Sequence, residues 1–258
     1  MIVVRARAVW RLTRSTLHVG HGLWVCAVEF PRATAEHKRR RIGWWNSKML
    51  RLMGLSIEVT GMPGHADDRP ALVAANHLSW LDIMAVNAVL PSRFVSKSDV
   101  RQWPLLGWLV ASGGTLFIDR TRRRDAHRVV HQIAEALAAG DRVAVFPEGM
   151  IGDGPQPLPF HGNLLQAAIS TVTPVQPVAI RYADATGPRS DAVLWTGDMT
   201  LAGSMWKIAC AEGLTAHVGL LTPVATLGLD RRALAVELRT SIADAVSTAA
   251  PACGRGQG

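Results

Sequence analysis

Past Gly61-Met62-Pro63-Gly64 the chain alternates short apolar runs with longer stretches of helical period, and this alternation restricts the fold more than any other feature. The apolar runs predict strands over Leu55–Thr60, Ala71–Ala75, Arg93–Ser96, Thr115–Asp119, Arg142–Phe146, Val175–Arg181, Val193–Trp195 and His217–Leu221. Helices are expected over Leu81–Leu90, Ala126–Ala139, Leu164–Ser170, Leu201–Ala211 and Arg231–Ala249. Asp125 and Asp230 stand where caps belong, and Gly140 closes the middle helix. The order of elements predicts an α/β fold, a single domain over residues 55–250 with a mixed sheet flanked by helices. With 258 residues, 48% of them hydrophobic, the chain can bury a full core and is not mainly disordered. The tail, Pro251–Gly258, is expected to be disordered.

One junction in this alternation carries chemistry. Asn76-His77-Leu78-Ser79-Trp80-Leu81-Asp82 follows a predicted buried strand and opens a predicted helix, and it sets an imidazole five positions before a carboxylate. His77 then lies at the carboxyl end of the strand, where open α/β sheets bind ligands. Asp82, one turn into the helix, can reach back to fix the imidazole tautomer and stabilise its protonated form. Ser79-x-x-Asp82 also fits a variant of the capping box, in which the carboxylate serves only the helix start. A single pair at this spacing is close to what random placement supplies, so its weight comes from the blocks that follow it.

Charge divides the chain unevenly. Residues 1–60 hold 11 Lys and Arg against 3 Glu, which accounts for the whole net charge of +8, and the remainder balances. Such a block asks for an anionic partner. Trp10, Leu12, Leu17, Val19, Leu23, Trp24, Val25, Val28 and Phe30 interleave with the cations, an apolar load that points to a membrane surface and not to nucleic acid. Leu17–Phe30 is too short and too polar to span a bilayer, and no cleavage site of a signal peptide follows it. A second helix over Ala35–Met53 starts with Lys38, Arg39, Arg40 and Arg41 and is stopped by Gly54. Residues 1–54 are therefore expected to form two short amphipathic helices that anchor the protein to the membrane surface. The alternative is a helical pair packed on the following domain. Cys26, Cys210 and Cys253 show neither metal spacing nor a disulfide framework, as in a reducing compartment.

Three further blocks follow in order: Gly114-Thr115-Leu116-Phe117-Ile118-Asp119-Arg120, Phe146-Pro147-Glu148-Gly149, and Val175-Gln176-Pro177-Val178-Ala179-Ile180. With Asn76–Asp82 they make the chain resemble, from about Leu55 to about Tyr182, the glycerolipid acyltransferase family, whose best-known members acylate lysophosphatidic acid. The resemblance implies His77 as general base with Asp82 as its partner, Arg120 facing the acceptor headgroup, and Glu148 and Gly149 lining the acceptor pocket. Lys97 matches a basic position similar to the family's phosphate-contacting lysine. It further implies acyl-CoA or acyl-carrier protein as co-substrate, membrane lipid as partner, no bound cofactor or metal, and a place on the cytoplasmic face of the inner membrane.

Read as residues, Glu148 can equally orient a glycerol hydroxyl or make a structural hydrogen bond, and Ser79 suits a cap better than a nucleophile. Arg122, Arg123 and Arg124 fit a solvated face, and the stripe Trp103, Leu105, Leu106, Trp108 and Leu109 fits core better than the wall of an acyl tunnel. There is no Gly-x-Ser-x-Gly and no Cys beside a His, hence no sign of a covalent acyl-enzyme. One departure stands out. Where phospholipid-making relatives continue Thr-Arg-Ser after Phe-Pro-Glu-Gly, this chain has Met150-Ile151-Gly152. Gly152-Asp153-Gly154 and Leu158-Pro159-Phe160 resemble relatives that acylate lyso-ornithine lipid, with Asp153 either pairing with an ammonium or serving a turn. Transfer to lysophosphatidic acid is the leading expectation and lyso-ornithine lipid the alternative acceptor. A hydrolase using the same base, or a non-catalytic lipid-binding protein, are the readings from other classes.

Overall fold

The computed structural model describes residues 2–61, 69–118, 123–152, 155–195 and 199–248. Two helices, α1 (Ile2–Val28) and α2 (Ala35–Met53), precede strands β1 (Ser56–Thr60) and β2 (Ala71–Ala75). Then come α3 (Leu81–Val89), β3 (Arg93–Lys97), α4 (Leu106–Ser112), β4 (Leu116–Ile118), α5 (Arg123–Ala138) and β5 (Arg142–Val145). The chain continues through α6 (Gln166–Ser170), β6 (Val175–Ala183), α7 (Leu201–Cys210), β7 (Thr215–Leu220) and α8 (Arg231–Thr248).

The strands form one sheet in the order β1-β7-β6-β2-β5-β3-β4. β6, β2, β5, β3 and β4 run parallel, and β7 turns against β6, so the sheet is mixed as expected. Central β2 is buried along its whole length, and its alternate residues feed two cores. Val73 and Ala75 join the cluster under α2, α3 and α7, while Leu72 and Ala74 join the one under α5, α6 and α8. The carboxyl ends of five parallel strands therefore share one edge of the sheet. From β2 the chain crosses to β3 on one side, and from β5 it crosses back to β6 on the other, which leaves a crevice at the ends of β2 and β5.

Capping explains the helix bounds. The Thr34 hydroxyl accepts the His37 N–H at the start of α2, and Gly54 ends it at φ +91°, in the left-handed region that favours glycine. Asp230 accepts the N–H groups of Arg232 and Ala233 at the head of α8. α5 starts at Arg123, so Asp125 lies within its first turn and not at its cap.

Other expectations need correction. No strand forms at Val193–Trp195: Ser190 Oγ accepts the Ala192 N–H, the chain tightens into a 3-10 turn over Asp191–Val193, and Val193 plugs the core beneath α7. α4, unforeseen, occupies the Trp/Leu stripe, and Trp103, Leu105 and Trp108 are exposed there, so the stripe is not plain core. α1 is not short. It runs for 27 residues, and two cations of the basic block find partners at the carboxyl end of α7. Arg11 Nη1 donates to the carbonyls of Ala209 and Ala211 at 2.9 and 2.8 Å, and Arg7 pairs with Glu212 at 3.0 Å. These cations complete the open carbonyl end of that helix. The tail 251–258 lies outside the described residues.

Candidate active site

β2 ends at Ala75, and Asn76 takes over its pairing with β6. The Asn76 side-chain amide donates to Ile180 O at 2.9 Å and accepts the Ile180 N–H at 2.7 Å. An amide side chain thus replaces a backbone peptide in the ladder, which lets the main chain leave the sheet at His77 without stranding polar groups.

His77 Nδ1 lies 2.9 Å from Asp82 Oδ2. The same oxygen accepts the backbone N–H groups of Leu78 at 2.6 Å and Ser79 at 2.8 Å. The imidazole contact and the helix-start contact, alternatives in the sequence, are therefore made by one carboxylate. Asp82 is fully buried, and its other oxygen accepts the hydroxyl of Tyr182 at 2.7 Å. Tyr182 is buried as well, and that burial, followed by the adjacent carboxylate, holds its phenol well above the ordinary tyrosine range. Four donors fix this acid in place. A carboxylate on Nδ1 sets the tautomer that carries the proton there and leaves Nε2 as the basic nitrogen. Nε2 has no hydrogen-bond partner among the described residues.

The Phe-Pro-Glu-Gly block grips His77 from the side of β5. Phe146 stacks on the imidazole with centroids 3.9 Å apart and planes 6° from parallel. Glu148 Oε1 accepts the His77 N–H at 2.6 Å, and its Oε2 accepts the Leu158 N–H at 2.8 Å. Gly152 N–H then donates to His77 O at 2.8 Å. Both oxygens of Glu148 are on backbone donors, and burial, the larger influence, still raises its carboxyl above the usual glutamate range. Gly149 adopts φ +74°, the left-handed conformation that allows the turn behind Glu148.

Lys97 ends β3 and is exposed, on the same sheet edge as His77 but beyond β5. Arg120, Arg122 and Asp153 lie outside the described residues. Met150 is exposed at the departure from the Thr-Arg-Ser pattern. Sequence reasoning missed Tyr182, which stands outside every block quoted above, and it missed the grip of Phe146 and Gly152, which sit in or beside a block and could have been asked about.

Known proteins resemble this chain along most of its length. Residues 56–181 match the acyltransferase family model. The lyso-ornithine lipid O-acyltransferase of Pseudomonas aeruginosa is 36% identical over 238 residues, covering 91% of this chain and 90% of that one. The 1-acyl-sn-glycerol-3-phosphate acyltransferase of Neisseria meningitidis is 36% identical over 208 residues, 80% of this chain and 81% of its own. The crystal structure of the 1-acyl-sn-glycerophosphate acyltransferase of Thermotoga maritima superposes with a TM-score of 0.71 over 96% of both chains at 19% identity, which shows the shared fold. With its His-Asp pair set at the end of the central strand, the chain belongs to the glycerolipid acyltransferase family and is an O-acyltransferase.

Proposed function

We propose that the protein moves a fatty acyl group from a thioester, on CoA or acyl-carrier protein, to the free hydroxyl of lysophosphatidic acid. The observation that carries this reading is the His77–Asp82 contact, held by a carboxylate with every oxygen engaged. His77 Nε2 takes the proton of the acceptor hydroxyl as its oxygen attacks the thioester carbonyl. The tetrahedral adduct collapses, the carbon–sulfur bond breaks, and the thiolate leaves with the proton from the imidazolium. Asp82 stabilises that cation in between. Lys97 and Arg120 are the cations assigned to the acceptor phosphate. Gly149 and Glu148 shape the wall, Glu148 by holding the His77 and Leu158 backbone in place.

Lyso-ornithine lipid is the second reading for the acceptor. It is favoured by the 91% coverage shared with the Pseudomonas aeruginosa relative and by Met150-Ile151 where an arginine is expected. Purified protein in vesicles, given one acyl-CoA and both lysolipids, tests the pair by mass spectrometry. Phosphatidic acid supports the first reading, diacylated ornithine lipid the second, and free fatty acid alone would sink both.

The protein is proposed to work on the membrane surface. No helix among the described residues is long and apolar enough to cross a bilayer. Val3, Trp10, Leu17 and Trp24, seven residues apart, form an exposed stripe along α1. Arg14 lies over the Trp10 ring, and Arg41 and Lys48 lie over Trp44. Apolar rings beside cations suit the boundary between acyl chains and anionic headgroups.

A further inference from the structure

A cavity of about 180 Å³ opens at the carboxyl end of β6, on the side of β2 opposite to β3 and Lys97. Its walls include Asn76 and Leu78, the residues on either side of His77, and Tyr182, which holds Asp82. The cavity therefore lies beside the His77–Asp82 pair on the β6 side, although neither residue lines it. Most of the rest is apolar, from Pro157 on the loop after Glu148, Val193 on the 3-10 turn and Val246 on α8.

Two cations interrupt this lining, Arg181 and Arg189, and no Asp or Glu lines the cavity among the described residues. Arg181 is engaged at one corner only. Its Nη1 donates to Pro188 O at 2.8 Å, whereas its Nε is buried without a partner among the described residues. A buried donor left open costs free energy that an anion reaching it would recover, and a guanidinium offers forked donors that fit a phosphate or carboxylate. The acid closest to Arg181 in effect is Glu58, which lies beyond β7 and pairs with His217 at 3.1 Å. Burial lowers the Arg181 pKa from the ordinary guanidinium value, so its charge is held without full compensation.

Both substrates of the acyl transfer proposed above are anionic, and Lys97, one of the cations assigned to the acceptor, ends β3 on the other side of His77. We propose that the Arg181 cavity receives the acyl donor, its apolar walls covering the pantetheine arm and its arginines, Arg181 foremost, binding the arm's phosphate. CoA and acyl-carrier protein share this arm and phosphate, so the site serves either source. The inference rests on the acyl-transfer reading.

The test is calorimetric titration of the full-length protein with 4′-phosphopantetheine and with pantetheine. The phosphorylated fragment binds at least about tenfold more tightly, and Arg181→Met removes that preference. Equal binding of the two fragments by the wild-type protein would overturn the proposal. In turnover, Arg181→Met raises the KM of acyl-CoA and of acyl-carrier protein by a similar factor of about ten or more, Arg181→Lys restores part of the loss, and Arg189→Met, at an exposed position, gives a smaller rise of the same kind. A rise confined to acyl-CoA assigns the contact to its adenosine phosphates, and a rise in acceptor KM instead assigns the cavity to the headgroup; either outcome overturns the proposal. Fragment binding needs no turnover. A wild-type protein that binds phosphopantetheine and forms no acylated product would therefore fail the acyl-transfer reading and not the cavity.

Discussion

The hydroxyl of Tyr182 donates to Asp82 at 2.7 Å across 100 residues of sequence, with both groups buried. The bond engages the one oxygen of Asp82 that serves neither His77 nor the helix start. Tyr182→Phe leaves that oxygen without a donor in a site closed to water. We expect a loss of about 1–3 kcal/mol in unfolding free energy and a severalfold fall in kcat as Asp82 gains freedom to turn. Denaturant unfolding and steady-state kinetics check this, and a variant with wild-type stability and kcat would show that the three donors on Oδ2 suffice.

The base itself is tested by His77→Ala. Because His77 is held through its backbone and partly exposed ring, the fold survives its truncation, while turnover falls by at least about a hundredfold. Asp82→Asn is expected to lower both stability and activity. Asparagine keeps one acceptor oxygen for three donors and gives up the charge that stabilises the imidazolium. Circular dichroism beside an activity assay separates the two losses, and an active His77→Ala protein would remove the general-base assignment.

Glu148 joins the His77 loop to the Leu158 loop through two backbone N–H groups. In Glu148→Gln the amide nitrogen must face one of those donors, at a cost of about 1–3 kcal/mol. The pH dependence follows from burial, which raises this carboxyl above the ordinary glutamate range. Folded protein then holds the proton more tightly than unfolded protein, so this contribution is present below about pH 4 and is lost as pH rises through the ordinary range to the raised value. Thermal melts of wild type and Glu148→Gln across that window should converge or cross in this direction; parallel curves would mean that Glu148 does not titrate there.

Removing residues 1–54 is a poor test of membrane docking, because Met49, Leu50 and Met53 belong to the core beneath the sheet and Arg11 caps α7. Substitutions on the exposed face avoid that problem. Trp10→Glu, Leu17→Glu and Trp24→Glu should each weaken binding to anionic vesicles by roughly tenfold, by loss of apolar burial, with melting behaviour retained. Sedimentation with vesicles measures this, and an unaltered bound fraction in the triple variant would leave α1 without a role at the membrane.

What the sequence determined by itself is local. A period of two or of 3.6 placed most strands and helices, because burial on one face is written into neighbouring residues. Five positions from His77 to Asp82 are one turn of chain past a strand end, so their contact follows from spacing once the helix starts at Leu81. The tertiary structure decided what depends on strand order. Glu148 meets His77 across 71 residues because β5 lies beside β2, and Tyr182 meets Asp82 because β6 lies on its other side. Similarly, Arg7 and Arg11 read as part of a basic block that asks for an anionic partner until α1 lies against the carbonyl end of α7. Residue type and spacing fix which groups can act, and the pairing of distant strands fixes which of them meet, since such contacts are set by the free energy of the whole core and not by any local preference.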